Sequence, residues 1–163
     1  MNTESEIGAL LDQVVKLTRA KDVDGLMRHY TPDVLAFDVI DPLRYAGADV
    51  LRQRAAAWFA SFDGQIHYDL AELSIAAAEG VAVCHGLSRV VGKTRDGRKL
   101  DMWWRTTYGL RKVADSWLIA HVHSSVPFDP STGAQSGQTT PRAHARAERF
   151  NGSARQATEH CSH

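Results

Sequence analysis

From Gln65 onward the chain stops repeating every three to four residues and begins to alternate. It keeps alternating through four successive segments, QIHYDLAELSIAAA (65–78), GVAVCHGLSRVVGKT (80–94), LDMWWRTTYGLRKV (100–113) and WLIAHVHSSVPF (117–128). A period of two is the signature of a strand with one face buried. The intervening segments are short and carry turn residues: Glu79-Gly80, RDGRK around Asp96-Gly97, and ADS at 114–116. Turns this tight join antiparallel neighbours, so the second half of the chain is expected to form a meander of long strands.

The first half has the other period. Ile7, Leu10, Leu11, Val14, Val15 and Leu17 make one apolar stripe on a helix over residues 5–20. Asp22 is placed to cap a short second helix, which Pro32 closes. DVLAFDVI (33–40) reads as a strand, DPLRYAGAD (41–49) as turn and loop, and ADVLRQRAAAWFASF (48–62) as a third helix ended at Asp63-Gly64. Helices followed by an antiparallel meander is an α+β layout, with the helices packed on one face of a curved sheet.

One core is expected, over residues 1–128. Hydrophobic residues are 44% of the chain, ordinary for a globular domain. Residues 129–163 are rich in Gly, Ser, Thr, Gln and charge and bury too little apolar surface to repay ordering, so a flexible polar tail is expected, with a short helix possible near 142–150. His160, Cys161 and His163 lie in that tail without a spaced partner cluster for a metal. Lys+Arg and Asp+Glu are 19 each, which argues against a nucleic-acid or membrane-surface binder. The N-terminus has no signal-peptide pattern and the two cysteines, Cys84 and Cys161, make no disulfide framework, so a reduced, cytoplasmic location is expected.

Sorting the last strands by face gives two sets, provided no bulge shifts the register. One holds His85, Leu87, Arg89, Asp101, Trp103, Arg105, Thr107, Trp117, Ile119, His121, His123 and Ser125. The other holds Ala82, Cys84, Gly86, Ser88, Met102, Trp104, Thr106, Tyr108, Leu110, Leu118, Ala120, Val122 and Val126. The first mixes aromatic rings with imidazole, guanidinium and carboxylate. Two readings stay open: it is a wet outer face or dimer surface, or it lines a pocket that is mostly apolar with a few placed polar groups. Trp103 and Ile119 among the charges favour the pocket, and the expectation here is that this set turns inward.

AKDVDGLMRHYTPDVLAFDV, PLRYAGADVLRQRAAAWFASF, LDMWWRTTYGLRKV and WLIAHVHSSVPF together resemble the SnoaL-like, ketosteroid-isomerase-like branch of the nuclear transport factor 2-like superfamily, over residues 5 to about 128. The H-x-H-x-S-x-P ending of the last strand also resembles the association domain of calcium/calmodulin-dependent kinases. The resemblance implies a cone-shaped α+β barrel, a curved antiparallel sheet wrapped around N-terminal helices with one deep pocket, and a homodimer through the outer sheet face. It implies isomerases, dehydratases, epoxide hydrolases and polyketide cyclases as well as members that only bind ligands or partners, and a pocket with no metal or other cofactor.

By that resemblance Asp38 stands in the region of a general base that removes a proton beside a carbonyl, the alternative being a turn cap or a pair with Arg105. His121, His123 and His85 can exchange protons near neutral pH; a metal site or plain structural roles are the alternatives. Arg105 is expected to recognise an anionic oxygen, with His85 beside it and Asp101 orienting it or His123. Tyr30 stands where an oxyanion donor is needed, and Phe37, Trp58, Trp103, His121 and Ser125 complete the expected pocket. The expected function is a small-molecule-binding protein acting, if it is an enzyme, by cofactor-free proton transfer on an apolar carbonyl compound: isomerisation, cyclisation or dehydration. The alternative is a non-catalytic ligand-binding or association module.

Overall fold

The structure, a computed structural model, describes residues 2–135. The helix considered near 142–150, the His160, Cys161 and His163 group and most of the 129–163 tail lie outside the described residues. Within them Asp129 opens a turn, accepting from the Ser131 backbone and hydroxyl, and Phe128 bridges to Gln135.

Helix α1, Thr3–Ala20, starts where the Asn2 side chain accepts from Ser5 N–H at 2.8 Å and ends where Lys21 takes a left-handed conformation. It buries Ile7, Leu11, Val14 and Thr18, one residue per turn along a single stripe. Helix α2, Val23–Met27, is capped by Asp22 as its sequence predicts. Strand β1, Tyr30–Phe37, begins earlier than expected and passes through Pro32. A two-residue strand β2, Tyr45–Ala46, lies in the segment expected to be loop. Helix α3, Ala48–Ala60, leads directly into β3, Phe62–Ala78. Then come β4, Val81–Thr94, β5, Lys99–Val113, and β6, Ser116–Ser125, close to the bounds the alternation predicts.

The six strands form one curved, unclosed sheet in the order β2-β1-β6-β5-β4-β3. The meander is antiparallel, but β1 pairs with β6 in parallel. No tight turn joins these two strands, so nothing local dictates their direction. The helices cover the concave face. Ile7, Leu11 and Val14 from α1, Leu26 and Met27 from α2 and Phe59 from α3 pack on Phe62, Ile66, Tyr68, Val90, Leu110, Trp117 and Ile119 of the sheet. Arg19 tethers α1 to the β3 edge, through Nε to the Tyr68 carbonyl at 2.7 Å and Nη2 to Asp69 at 2.6 Å.

Two irregularities aim the side chains. Along β5 and β6 Gly109 faces His121 while Leu110 faces Ile119, so Ala120 is an extra residue. Before it Trp117 and Ile119 point into the core; after it Val122 and Ser124 do, and His121, His123 and Ser125 point out. In β3 a second bulge lies between Ala71 and Ser74, with Glu72 at φ 53°. Opposite it Gly86 lies so close that a Cβ there would sit 2.8 Å from the Ala71 carbonyl oxygen.

Candidate functional site

Between α1–α3 and the concave face lies a cavity of about 190 Å3. An apolar cavity of roughly 150 Å3 takes benzene, so this one holds an aromatic ring or a somewhat larger body. Leu26, Met27, Leu51, Trp58, Met102 and Trp104 make much of its apolar wall. On the sheet side the lining is the even-numbered set of β5, Met102, Trp104, Thr106 and Tyr108 among it, with Tyr68, Val90, Val122 and Ser124 from the neighbouring strands.

Asp38 and Arg54 are the only charged residues among the described residues that line it. Asp38 follows β1 and shares its inward parity with Ala36. Its Oδ1 accepts from Val39 N–H at 2.7 Å and its Oδ2 from Arg54 Nε at 2.8 Å. Arg54 stands on α3 with Leu51, Ala55 and Trp58, a helical i, i+3, i+4, i+7 face. The side chains of this pair are only 19% and 22% exposed for Arg54 and Asp38. The face of the guanidinium lies 6.0 Å from the centre of the Tyr45 ring.

The sheet floor carries a chain of hydroxyls. Tyr68 Oη lies 3.1 Å from Ser88 Oγ, which lies 2.7 Å from Thr106 Oγ1. Tyr68, Thr106, Tyr108 and Tyr30 all line the cavity. Burial pushes the phenols of Tyr30, Tyr68 and Tyr108 above the usual tyrosine range. They therefore keep their protons at neutral pH and can donate to an oxygen in the cavity. Burial likewise pushes the Cys84 thiol up to about 11, which keeps it unreactive.

Of the residues singled out from the sequence, Asp38, Tyr30 and Trp58 meet in this cavity. Phe37 borders it, but its ring packs edge-on against His121 and His123, with centroids at 5.0 and 5.7 Å, on the convex face. The expectation that the His85, Arg105 and His123 face turns inward is wrong. His85, Thr107 and His123 form one cross-strand row on the convex side, and Leu87, Arg105 and Ser125 the next. His85, Arg105, His123 and Asp101 are exposed. Asp101 orients neither Arg105 nor His123; it binds Arg89 through two hydrogen bonds of 2.8 and 2.6 Å, and Arg89 lies over the Trp103 ring at 5.2 Å. His121 Nδ1 donates to the Leu35 carbonyl at 2.8 Å. Asp38 pairs with Arg54 and not with Arg105.

The cause is twofold. The Ala120 bulge separates Trp117 and Ile119 from the histidines that simple alternation groups with them. Trp103, half-buried on the convex side under Arg89, is no sign of an interior face. The sequence reading missed Arg54, Ser124, Tyr68, Trp104, Thr106 and Tyr108. Arg54 was within reach, since it falls on the apolar face of α3.

A family model described as SnoaL-like domain matches residues 7–129. Among solved structures the chain is similar to an NTF2-like protein of unknown function from Pseudomonas putida, with 28% identity over 86% of this chain and 99% of that one and a TM-score of 0.77. It is similar in fold to a putative calcium/calmodulin-dependent protein kinase II association domain from Xanthomonas campestris (18% identity, 77% and 88% covered, TM-score 0.67). The same holds for a ketosteroid isomerase-like protein from Erwinia carotovora atroseptica (20% identity, 77% and 97% covered, TM-score 0.66). No curated protein sequence matches the chain.

Proposed function

We propose that this chain, which belongs to the SnoaL-like family of the NTF2-like superfamily, binds a small apolar carbonyl compound in the cavity under α1–α3 and moves a proton on it without a cofactor. The observation that carries this reading is the Asp38–Arg54 pair, the one charged couple among the described residues of an otherwise apolar and hydroxyl-lined cavity. Asp38 takes the proton from the carbon next to the carbonyl, and the C–H electron pair becomes the C=C bond of an enolate whose oxygen carries the charge. The neutral phenols of Tyr30, Tyr68 and Tyr108 supply hydrogen-bond donors for that oxygen. Return of the proton to a second carbon completes an isomerisation; collapse of the enolate with expulsion of a hydroxyl group from the next carbon, leaving as water with the proton held on Asp38, completes a dehydration. Fold alone does not choose between them.

The test uses the exchange of α-protons for deuterium in 2-acetonaphthone, followed by NMR, beside its binding followed by Trp fluorescence. Asp38→Asn is expected to slow exchange by about 10²–10⁴-fold, the usual worth of a positioned base, while binding persists. Binding without catalysed exchange in the wild type would remove the proton-transfer step and leave the second reading, a non-catalytic binding or association module. That reading draws support from the convex face, where Val81 and Val83 are 57% and 52% exposed beside the His85 row. In either reading the convex face is the contact between two copies. Sedimentation giving a dimer fits both, and a larger ring favours the association module.

A further inference from the structure

We propose that the ligand of this cavity carries a carboxylate and that Arg54 reads it. The inference rests on the reading of the cavity as a small-molecule site and names the chemical class it selects. Arg54 is engaged along one edge only. Its Nε donates to Asp38 Oδ2 at 2.8 Å. Neither of its amino groups, Nη1 or Nη2, donates to any of the described residues, although the side chain is four-fifths buried. Neither amino group is among the buried polar atoms left without a partner, so both reach solvent, and an acceptor on the ligand takes the place of water at the free edge. The edge presents two parallel N–H directions, which match the two oxygens of a carboxylate.

The rest of the surroundings fit this assignment. Asp38 cannot turn both oxygens to Arg54, because Oδ1 is held by Val39 N–H at 2.7 Å. Tyr45 lies against the guanidinium face, and its own hydroxyl is tied to the Asp41 carbonyl at 2.9 Å, so both sides of the arginine are fixed before a ligand arrives. Preorganisation of this kind lowers the entropy cost of recognition. The ligand's apolar body then lies along Trp58, Met102 and Trp104, and its charged end stays with Arg54, which keeps some contact with solvent. Arg105, the arginine first expected to bind an anion, is on the other side of the sheet and exposed.

The experiment titrates the full chain by calorimetry with cinnamate and 2-naphthoate, each beside its uncharged carboxamide. The wild type is expected to bind each acid about tenfold or more tighter than its amide. Arg54→Met should remove that preference, so that acid and amide bind alike. The double variant Asp38→Asn, Arg54→Met leaves no unpaired carboxylate in the cavity, and should show the same loss if the single variant folds poorly. Equal binding of acid and amide by the wild type overturns the carboxylate assignment while leaving the cavity a binding site. A preference that survives in both variants also overturns it. Failure of acids and amides alike to bind overturns this inference together with the reading of the cavity on which it rests.

Discussion

Ser88 shows how much a single hydroxyl can hold in this fold. It is fully buried and bridges Tyr68 Oη to Thr106 Oγ1. Ser88→Ala leaves two buried polar groups short of a partner, which costs about 1–3 kcal/mol for an unsatisfied group. The expected outcome is a lower urea midpoint with an unchanged slope, together with weaker ligand binding through loss of order in Tyr68. A midpoint equal to the wild type would mean that the hydroxyl chain contributes nothing. At this scale the sequence was informative about Asp38, Tyr30 and Trp58, whose residue types already suit a cavity. It was uninformative about Ser88 and Thr106, since a hydroxyl in an alternating strand looks the same whether it faces water or a phenol.

The Ala120 bulge governs β6 at the scale of the element. A strand with one extra residue reverses the facing of everything beyond it. Deleting Ala120 takes out only that extra residue: the pairs Leu110–Ile119 and Gly109–His121 then follow one another without a gap, and Val122 and Ser124 stay inward while His121, His123 and Ser125 stay outward. The deletion is therefore expected to keep the cavity lining and its ligand binding, and to move the melting temperature by only a few degrees, about 2–4 °C for each kcal/mol in a chain near this size. Loss of the folded state would show that the bend the bulge puts into β6 is itself required.

Across the whole molecule the buried phenols and Cys84 tie stability to alkaline pH. Burial raises all four groups in the folded state, the thiol from 9.0 to about 11. Above about pH 9 the unfolded chain releases these protons first, so it binds fewer than the native state and ∂ΔG/∂pH is negative. Their contribution is complete below pH 9 and is lost as pH rises through the folded values. Thermal melts at stepped pH should stay level to about pH 9 and then fall. Tyrosinate absorbance from the buried rings should appear together with unfolding. A level melting curve beyond pH 11, or ionisation of those rings in the native state, would contradict their burial.

The helices, the long strands of the meander, its tight turns and the α+β class were legible in the residues because each depends on neighbours close in the chain, whereas β2 and the start of β3 at Phe62, ahead of Asp63-Gly64, were not. The switch in period after Gly64, the Asp22 cap and the Asp96-Gly97 turn are all local signals. The parallel β1–β6 pairing and the inward face of the sheet were not, because alternation is symmetric about the sheet plane. It separates two sets of side chains without saying which one the helices will cover. That choice follows from where α1–α3 pack, and one inserted alanine redistributes the last strand between the sets. Local pattern thus suffices for strands and helices, whereas the identity of the cavity's charged pair emerges only when Asp38 after β1 and Arg54 on α3 are folded against each other.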